Sequence, residues 1–234
     1  MTETANFSRR AMLGTAALAA GVAAVGGRAA EPAGDFKQLS PKDALARLKQ
    51  GNADFLAGKP IEVDTNGKRR LAIARGQHPF AVLVSCSDSR VPPEVLFGRG
   101  LGELFIIRNA GNTVDTVAMG SIEYAIAQLG VPLIVVMGHE RCGAVAAATE
   151  VVLNNAVFPG SIGRMVEAIV PAVLQARAAG GDLLDASVRA NVARTVNRLK
   201  TASEPMILQP YQAGKLMIVG ARYDLDDGRV EFFA

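Results

Sequence analysis

Reactive side chains are scarce in this chain. Its 234 residues include two cysteines, two histidines, three tyrosines and no tryptophan. So few cysteines exclude a disulfide-dense scaffold and a zinc-finger array. Only 20 % of residues are charged while 50 % are hydrophobic, which excludes a disordered chain. The apolar positions are too scattered for a multi-span membrane protein. A long Lys/Arg run interleaved with exposed aromatics is also missing, so nucleic acid is not an expected partner. Any metal site built on soft ligands must draw on Cys86, Cys142, His78 and His139. Their positions therefore carry unusual weight.

The N-terminus reads Ser8-Arg9-Arg10-Ala11-Met12-Leu13-Gly14 and continues as an uncharged Ala/Gly-rich run to Gly27. Arg28-Ala29-Ala30 then supplies small residues suited to a signal-peptidase cut near Ala29. Paired arginines ahead of a short, mildly apolar stretch resemble a twin-arginine export signal. Residues 1–29 are accordingly expected to be a cleaved signal peptide, residues 30–40 a linker and residues 41–234 the functional domain. The expected location is periplasmic, extracellular or in the cell envelope, with no stable membrane span after cleavage. The competing reading is an uncleaved anchor, against which a run dominated by Ala and Gly would partition weakly into hydrocarbon. The whole chain carries +3. Arg9, Arg10 and Arg28 against Glu3 account for +2 of this, leaving +1 beyond the leader.

Ser40-Pro41-Lys42-Asp43 is a helix start, with a capping serine and proline at the first helical position. Ala44, Leu45, Leu48, Ala53, Phe55 and Leu56 continue at helical spacing, with Gly51-Asn52 as a potential interruption. Four apolar runs bounded by turn signals follow, at 80–84, 104–107, 132–137 and 216–219. Continuous runs rich in Val and Ile suit strands buried on both faces of a parallel sheet. Helical patterns lie around 114–129, 142–153, 161–179 and 185–203, and Asp226-Asp227-Gly228 reads as a hairpin turn feeding an edge strand over 229–233. The expected fold class is α/β: an open, mainly parallel sheet of about four parallel strands plus an edge strand, flanked by helices, with an N-terminal helical arm.

Two segments at strand ends carry chemistry. Cys86-Ser87-Asp88-Ser89-Arg90 follows the first strand, and Gly138-His139-Glu140-Arg141-Cys142-Gly143 follows the third. In open parallel sheets ligands gather where strands end and neighbouring connections part. His139 and Cys142, three apart at a strand-to-helix junction, can face one ion, and a helix N-terminus favours the thiolate of Cys142. Two thiolates and one imidazole fit tetrahedral zinc with one position left. On compartment alone the default would be a Cys86–Cys142 disulfide, and a lone buried cysteine is usually a small hydrophobe. The joint arrangement favours a metal. His78 reads as a surface histidine.

With Cys86-x-Asp88-x-Arg90 and His139-x-x-Cys142 in place, the sequence resembles the β-class carbonic anhydrases. The resemblance runs from about residue 40 to the C-terminus and includes Arg108-Asn109-Ala110-Gly111-Asn112 and Gly120-Ser121-Ile122-Glu123-Tyr124-Ala125. It implies one Zn²⁺ per chain on Cys86, His139 and Cys142, with Asp88 and Arg90 as a catalytic dyad. Asp88 then either pairs with Arg90 or becomes the fourth ligand in a closed form. Gln77, Phe105 and Tyr124 are implied as substrate-binding residues, although Phe105 and Tyr124 equally suit plain core. Leu83 stands where one subtype has a tryptophan at a regulatory bicarbonate site, which disfavours that regulation. Homodimers or multiples of dimers are implied, with an N-terminal helix embracing the partner and pocket residues shared across the interface.

The implied activity is a lyase reaction, reversible hydration of carbon dioxide to bicarbonate and a proton, by a water that zinc makes nucleophilic near neutral pH. Asp88 would orient that nucleophile, and Arg90 would keep Asp88 ionised and off the metal. Hydrolysis of carbon disulfide or carbonyl sulfide on the same scaffold is the alternative enzyme reading. A non-catalytic exported module, zinc-binding or disulfide-stapled, is the alternative of another class.

Overall fold

The four apolar runs become four parallel strands. The computed structural model describes residues 38–60, 63 and 65–233; the leader and most of the expected linker lie outside the described residues. In chain order the elements are α1 (Pro41–Leu56), α2 (Gly67–Ile73), β1 (Ala81–Ser85), α3 (Pro93–Leu96), β2 (Leu104–Arg108), a 3₁₀ turn (Ala110–Asn112), α4 (Thr116–Ala127), β3 (Leu133–His139), α5 (Gly143–Asn154), α6 (Gly160–Glu167), α7 (Val170–Ala179), α8 (Leu183–Lys200), α9 (Pro205–Gln212), β4 (Met217–Tyr223) and β5 (Val230–Phe233). The sheet order is β2-β1-β3-β4-β5, parallel except for β5, which pairs antiparallel with β4.

Every residue of β1 and β3 is buried, as their uninterrupted apolar character demands. Side chains alternate between the two faces. Val82, Val84, Ile134 and Val136 pack with Ile122 of α4, Val192 and Leu199 of α8 and Ile207 of α9. Leu83, Leu133, Val135 and Met137 pack with Ala44 and Leu48 of α1 and with Leu96 and Phe97 beside α3. The sheet is thus sandwiched between helical layers. No helix among the described residues is long and apolar enough to cross a membrane.

The Ser40 side chain accepts from the Asp43 N–H, and Pro41 opens α1, so the expected cap is in place. The potential interruption at Gly51-Asn52 does not occur, because both residues dock the helix. A Cβ on Gly51 would lie 1.9 Å from the Phe97 carbonyl oxygen, so glycine lets the backbones of α1 and the end of α3 touch. Asn52 is buried; its Nδ2 donates to Gly228 O at 3.0 Å and its Oδ1 accepts from Val230 N–H at 2.9 Å. The single helical pattern expected over 161–179 is two helices, α6 and α7, with Pro171 in the first turn of α7, where its missing N–H costs nothing. The short helices α2, α3 and α9 offered too few turns for a periodic signal.

The hairpin at Asp226-Asp227-Gly228 forms as expected, with Gly228 at φ 81°. Asp224 organises it, accepting from Asp226 N–H at 2.9 Å and from the Arg222 guanidinium at 3.0 Å. Arg222 above all, helped by that N–H, holds the Asp224 carboxyl at about 2, below its ordinary 3.8. A carboxyl depressed in the folded state contributes stability that is complete above its unfolded pKa and is lost as pH falls through the folded one. The stability gap between wild type and Asp224→Asn is therefore expected to stay constant down to about pH 4 and to close as pH falls through 2, as thermal unfolding across that range would show. A gap independent of pH would remove Asp224 as its source.

Candidate metal centre

Strand order decides the site. Connections leave β1 towards β2 on one side, while β3 pairs with β1 on the other. The β1/β3 boundary is thus the topological switch point, where the carboxyl ends of strands open a crevice. Cys86 immediately follows β1, His139 ends β3 and Cys142 is the residue before α5. The ligand atoms of these three buried side chains lie within 4.8 Å of one another.

The residues fit a tetrahedral metal. The two sulfurs are 3.9 Å apart, far beyond disulfide bonding and close to the ~3.8 Å expected for two thiolates at about 2.3 Å from one tetrahedral ion. Both cysteines are free. His139 Nδ1 lies 2.9 Å from its neighbour's carbonyl, Glu140 O, an acceptor that assigns the proton to Nδ1. Nε2 is left buried, with no hydrogen-bond partner among the described residues. A bare ring nitrogen facing two thiols is a donor set waiting for a cation. The contact between the two sulfurs pushes the Cys86 thiol down against the effect of burial and pushes the Cys142 thiol up.

Neighbouring residues hold this arrangement. The Gly111 N–H donates to Cys86 Sγ at 3.3 Å. Gly111 has φ 67°, in the left-handed region that favours glycine, and a Cβ there would come 2.6 Å from Ile169 Cδ1. Asn191 Nδ2 donates to Gly111 O at 2.8 Å. Arg108, at the end of β2, donates through Nε to Cys86 O at 2.9 Å and through Nη2 to Asp88 O at 2.6 Å. Sequence reasoning gave Arg108 no role of its own; the available signal was a lone cation closing an apolar strand.

Asp88 faces Arg90. Its Oδ1 accepts from Arg90 Nε and backbone N–H, each at 2.9 Å, and its Oδ2 accepts from Nη2 at 2.7 Å. The guanidinium holds the Asp88 carboxyl well below the usual carboxylate range. Oδ2 is also 3.8 Å from His139 Nε2. The carboxylate therefore borders the triad while remaining tied to arginine. Of the two dispositions left open by the sequence, this is the paired one.

Gln77, Phe105 and Tyr124 do not join the triad within one chain. Gln77 is exposed and precedes β1, whereas Cys86 follows it; five strand residues span about 16 Å. Phe105 stands level with Val82, near the start of β1. Its ring centroid is 6.3 Å from that of Tyr124, which is half exposed. Phe105 also borders a cavity of about 280 Å³ along the edge strand β2, beside Ile107, Asn109 and Val117. Leu83 is fully buried against the α1 layer. His78 is exposed, as expected, and borders a different cavity with Arg47 and Arg69.

Fold and site together define a class: an α/β enzyme with a buried Cys₂His cluster able to hold a metal at the switch point of a parallel sheet and an Asp–Arg pair beside it. The family model for carbonic anhydrase matches residues 81–230. A carbonic anhydrase of Mycolicibacterium smegmatis is 43 % identical over 192 residues, covering 82 % of this chain and 93 % of that protein. Among solved structures, the β-carbonic anhydrase CafA of Aspergillus fumigatus superposes with a TM-score of 0.63 at 27 % identity, over 82 % of this chain and 89 % of that one. Two tetrameric β-carbonic anhydrases from Sordaria macrospora are represented by a match with a TM-score of 0.59 at 28 % identity, over 68 % of this chain and 82 % of that one. The chain belongs to the β-class carbonic anhydrases.

Proposed function

We propose that the chain is a zinc-dependent carbonate dehydratase that interconverts carbon dioxide and water with bicarbonate and a proton. The observation that carries this reading is the bare Nε2 of His139 beside two thiols 3.9 Å apart. Cys86, His139 and Cys142 would hold one Zn²⁺ per chain. When bound, zinc supplies the Lewis acidity that makes water a nucleophile near neutral pH. Asp88 would accept a hydrogen bond from that water and orient it. Arg90 keeps Asp88 ionised and turned away from the fourth ligand position.

The substrate wall of Gln77, Phe105 and Tyr124 is assigned to a second chain in a homodimer or multiple of dimers. Three observations support this: Gln77 lies beyond the far end of β1, Tyr124 is half exposed, and β2 is an open sheet edge. Export by the twin-arginine route is part of the same proposal and rests on Arg9-Arg10 and the Ala/Gly run. Folding before export would let zinc shield both thiols.

One preparation of the exported protein tests the whole reading. Stopped-flow hydration of carbon dioxide is expected, together with one zinc per chain, two reduced thiols and an N-terminus near residue 30. The thiolates of Cys86 and Cys142 neutralise a divalent charge, so activity is expected to rise towards alkaline pH. A Cys86–Cys142 disulfide in the active protein, or hydration without zinc, would overturn the reading. Turnover of carbonyl sulfide without hydration of carbon dioxide would redirect it to the sulfur analogues.

A further inference from the structure

The two residues between His139 and Cys142 are gripped from outside the site. Arg141 has φ 51°, in the left-handed region. The other described non-glycine residues there, Asn112 and Asn155, are of the one type besides glycine that visits it readily. Arg141 therefore needs something to hold it. Its guanidinium meets Asp226 in a two-pronged pair, Nη1 to Oδ2 at 2.9 Å and Nη2 to Oδ1 at 2.6 Å, and Nη1 also donates to Glu140 Oε1 at 3.1 Å.

Asp226 belongs to the turn between β4 and β5, and the same turn holds Glu140, whose Oε2 accepts from Leu225 N–H at 3.2 Å. The Glu140 backbone N–H donates to Tyr223 O at 2.9 Å, and its carbonyl is the acceptor facing His139 Nδ1. The orientation of that carbonyl is set by the peptide joining Glu140 to Arg141, which the left-handed φ of Arg141 terminates. A chain of contacts thus runs from the β4–β5 turn through Arg141 and Glu140 to the imidazole.

We propose that the β4–β5 turn, acting through the Asp226–Arg141 pair, positions the His139 imidazole and the Cys142 thiol for the metal. Asp226 and Arg141 are positioning residues and touch neither metal nor substrate. The inference rests on the metal reading above and goes beyond it in assigning a distant turn to the centre. The Arg141 side chain is about half exposed and that of Asp226 more so, and an exposed ion pair contributes little to global stability. Its effect should therefore appear at the metal and not in the melting temperature. Loss of a partner that orients a metal-ligating histidine commonly weakens metal affinity about 10-fold to 100-fold, and a contact one step further out belongs at the lower end.

The test compares the wild type with Asp226→Ala, Arg141→Ala and the double variant. It measures zinc release to a chelator, the visible spectrum after cobalt substitution, and the melting temperature of the metal-free protein. Each single variant is expected to release zinc about 10-fold faster. The double variant should be no faster than Arg141→Ala, because the Asp226–Arg141 pair is already lost in each single variant. The cobalt bands should shift while the metal-free melting temperature stays put. Arg141→Gly relieves the backbone but removes the grip, and it should release zinc more slowly than Arg141→Ala. Release within twofold of the wild type in Asp226→Ala, or singles whose effects multiply in the double variant, would overturn the proposal. A wild type that binds neither zinc nor cobalt would instead overturn the metal reading itself.

Discussion

Cys142→Ala is expected to purify without its zinc and to lose hydration activity by more than about 100-fold. Loss of a residue that merely orients a metal ligand costs about 10-fold to 100-fold, so loss of a ligand should exceed it. Removing this thiol deprives the site of one of two anionic donors and leaves His139 and Cys86 too few to complete a tetrahedron. The fold should survive. Cys142 is 1 % exposed, but replacing its sulfur leaves only a small void, which costs about 1 kcal/mol. Metal analysis, stopped-flow hydration and circular dichroism on one sample separate loss of the centre from loss of the fold. A folded Cys142→Ala protein with full activity would show that the triad is not the reacting centre.

Gly51→Ala is expected to lower stability by about 3 kcal/mol, a drop of about 6–12 °C in melting temperature for a domain of this size. Alanine normally favours a helix interior over glycine by about 1 kcal/mol, so helix propensity alone forecasts the opposite sign. The contact decides the outcome. The added Cβ would lie 1.9 Å from the Phe97 carbonyl oxygen and 2.7 Å from its carbonyl carbon, and backbone cannot swing aside as a side-chain end can. α1 would have to lift from the end of α3, disturbing Ala44, Leu48, Leu96 and Phe97 in one apolar cluster and the buried Asn52 bonds to the β4–β5 hairpin. Thermal unfolding of the two proteins checks this. A variant that melts at or above the wild type would refute the close-packing account.

These two residues differ in how readable they were. Cys142 announced itself: one of two cysteines, three residues from a histidine, at the end of a strand-like run. Gly51 looked like a helix interruption, because a glycine in a helical pattern carries no mark of the backbone that approaches it. Pro171 likewise sits inside a continuous helical pattern and yet opens α7, since proline is tolerated in a first turn as well as at a break. Gln77, Phe105 and Tyr124 show the converse. The resemblance implies them as substrate-binding residues of a pocket shared across an interface, and within one chain the extended β1 carries Gln77 away from Cys86.

Local chemistry was enough to single out Cys86, His139 and Cys142 as candidate ligands placed at strand ends. Buried parallel strands must be apolar throughout, turns between them must be polar, and only three soft side chains stood at such turns. That β1 and β3 are neighbours, with β2 outside them, was decided by tertiary structure alone. Strand pairing is a contact between distant segments, and apolar runs of similar composition do not specify which lies beside which. The same holds for the grip of the β4–β5 turn on Arg141 and for the arginine of β2 that holds the carbonyls of Cys86 and Asp88. Each joins residues far apart in sequence, and each exists only once the sheet has chosen its order.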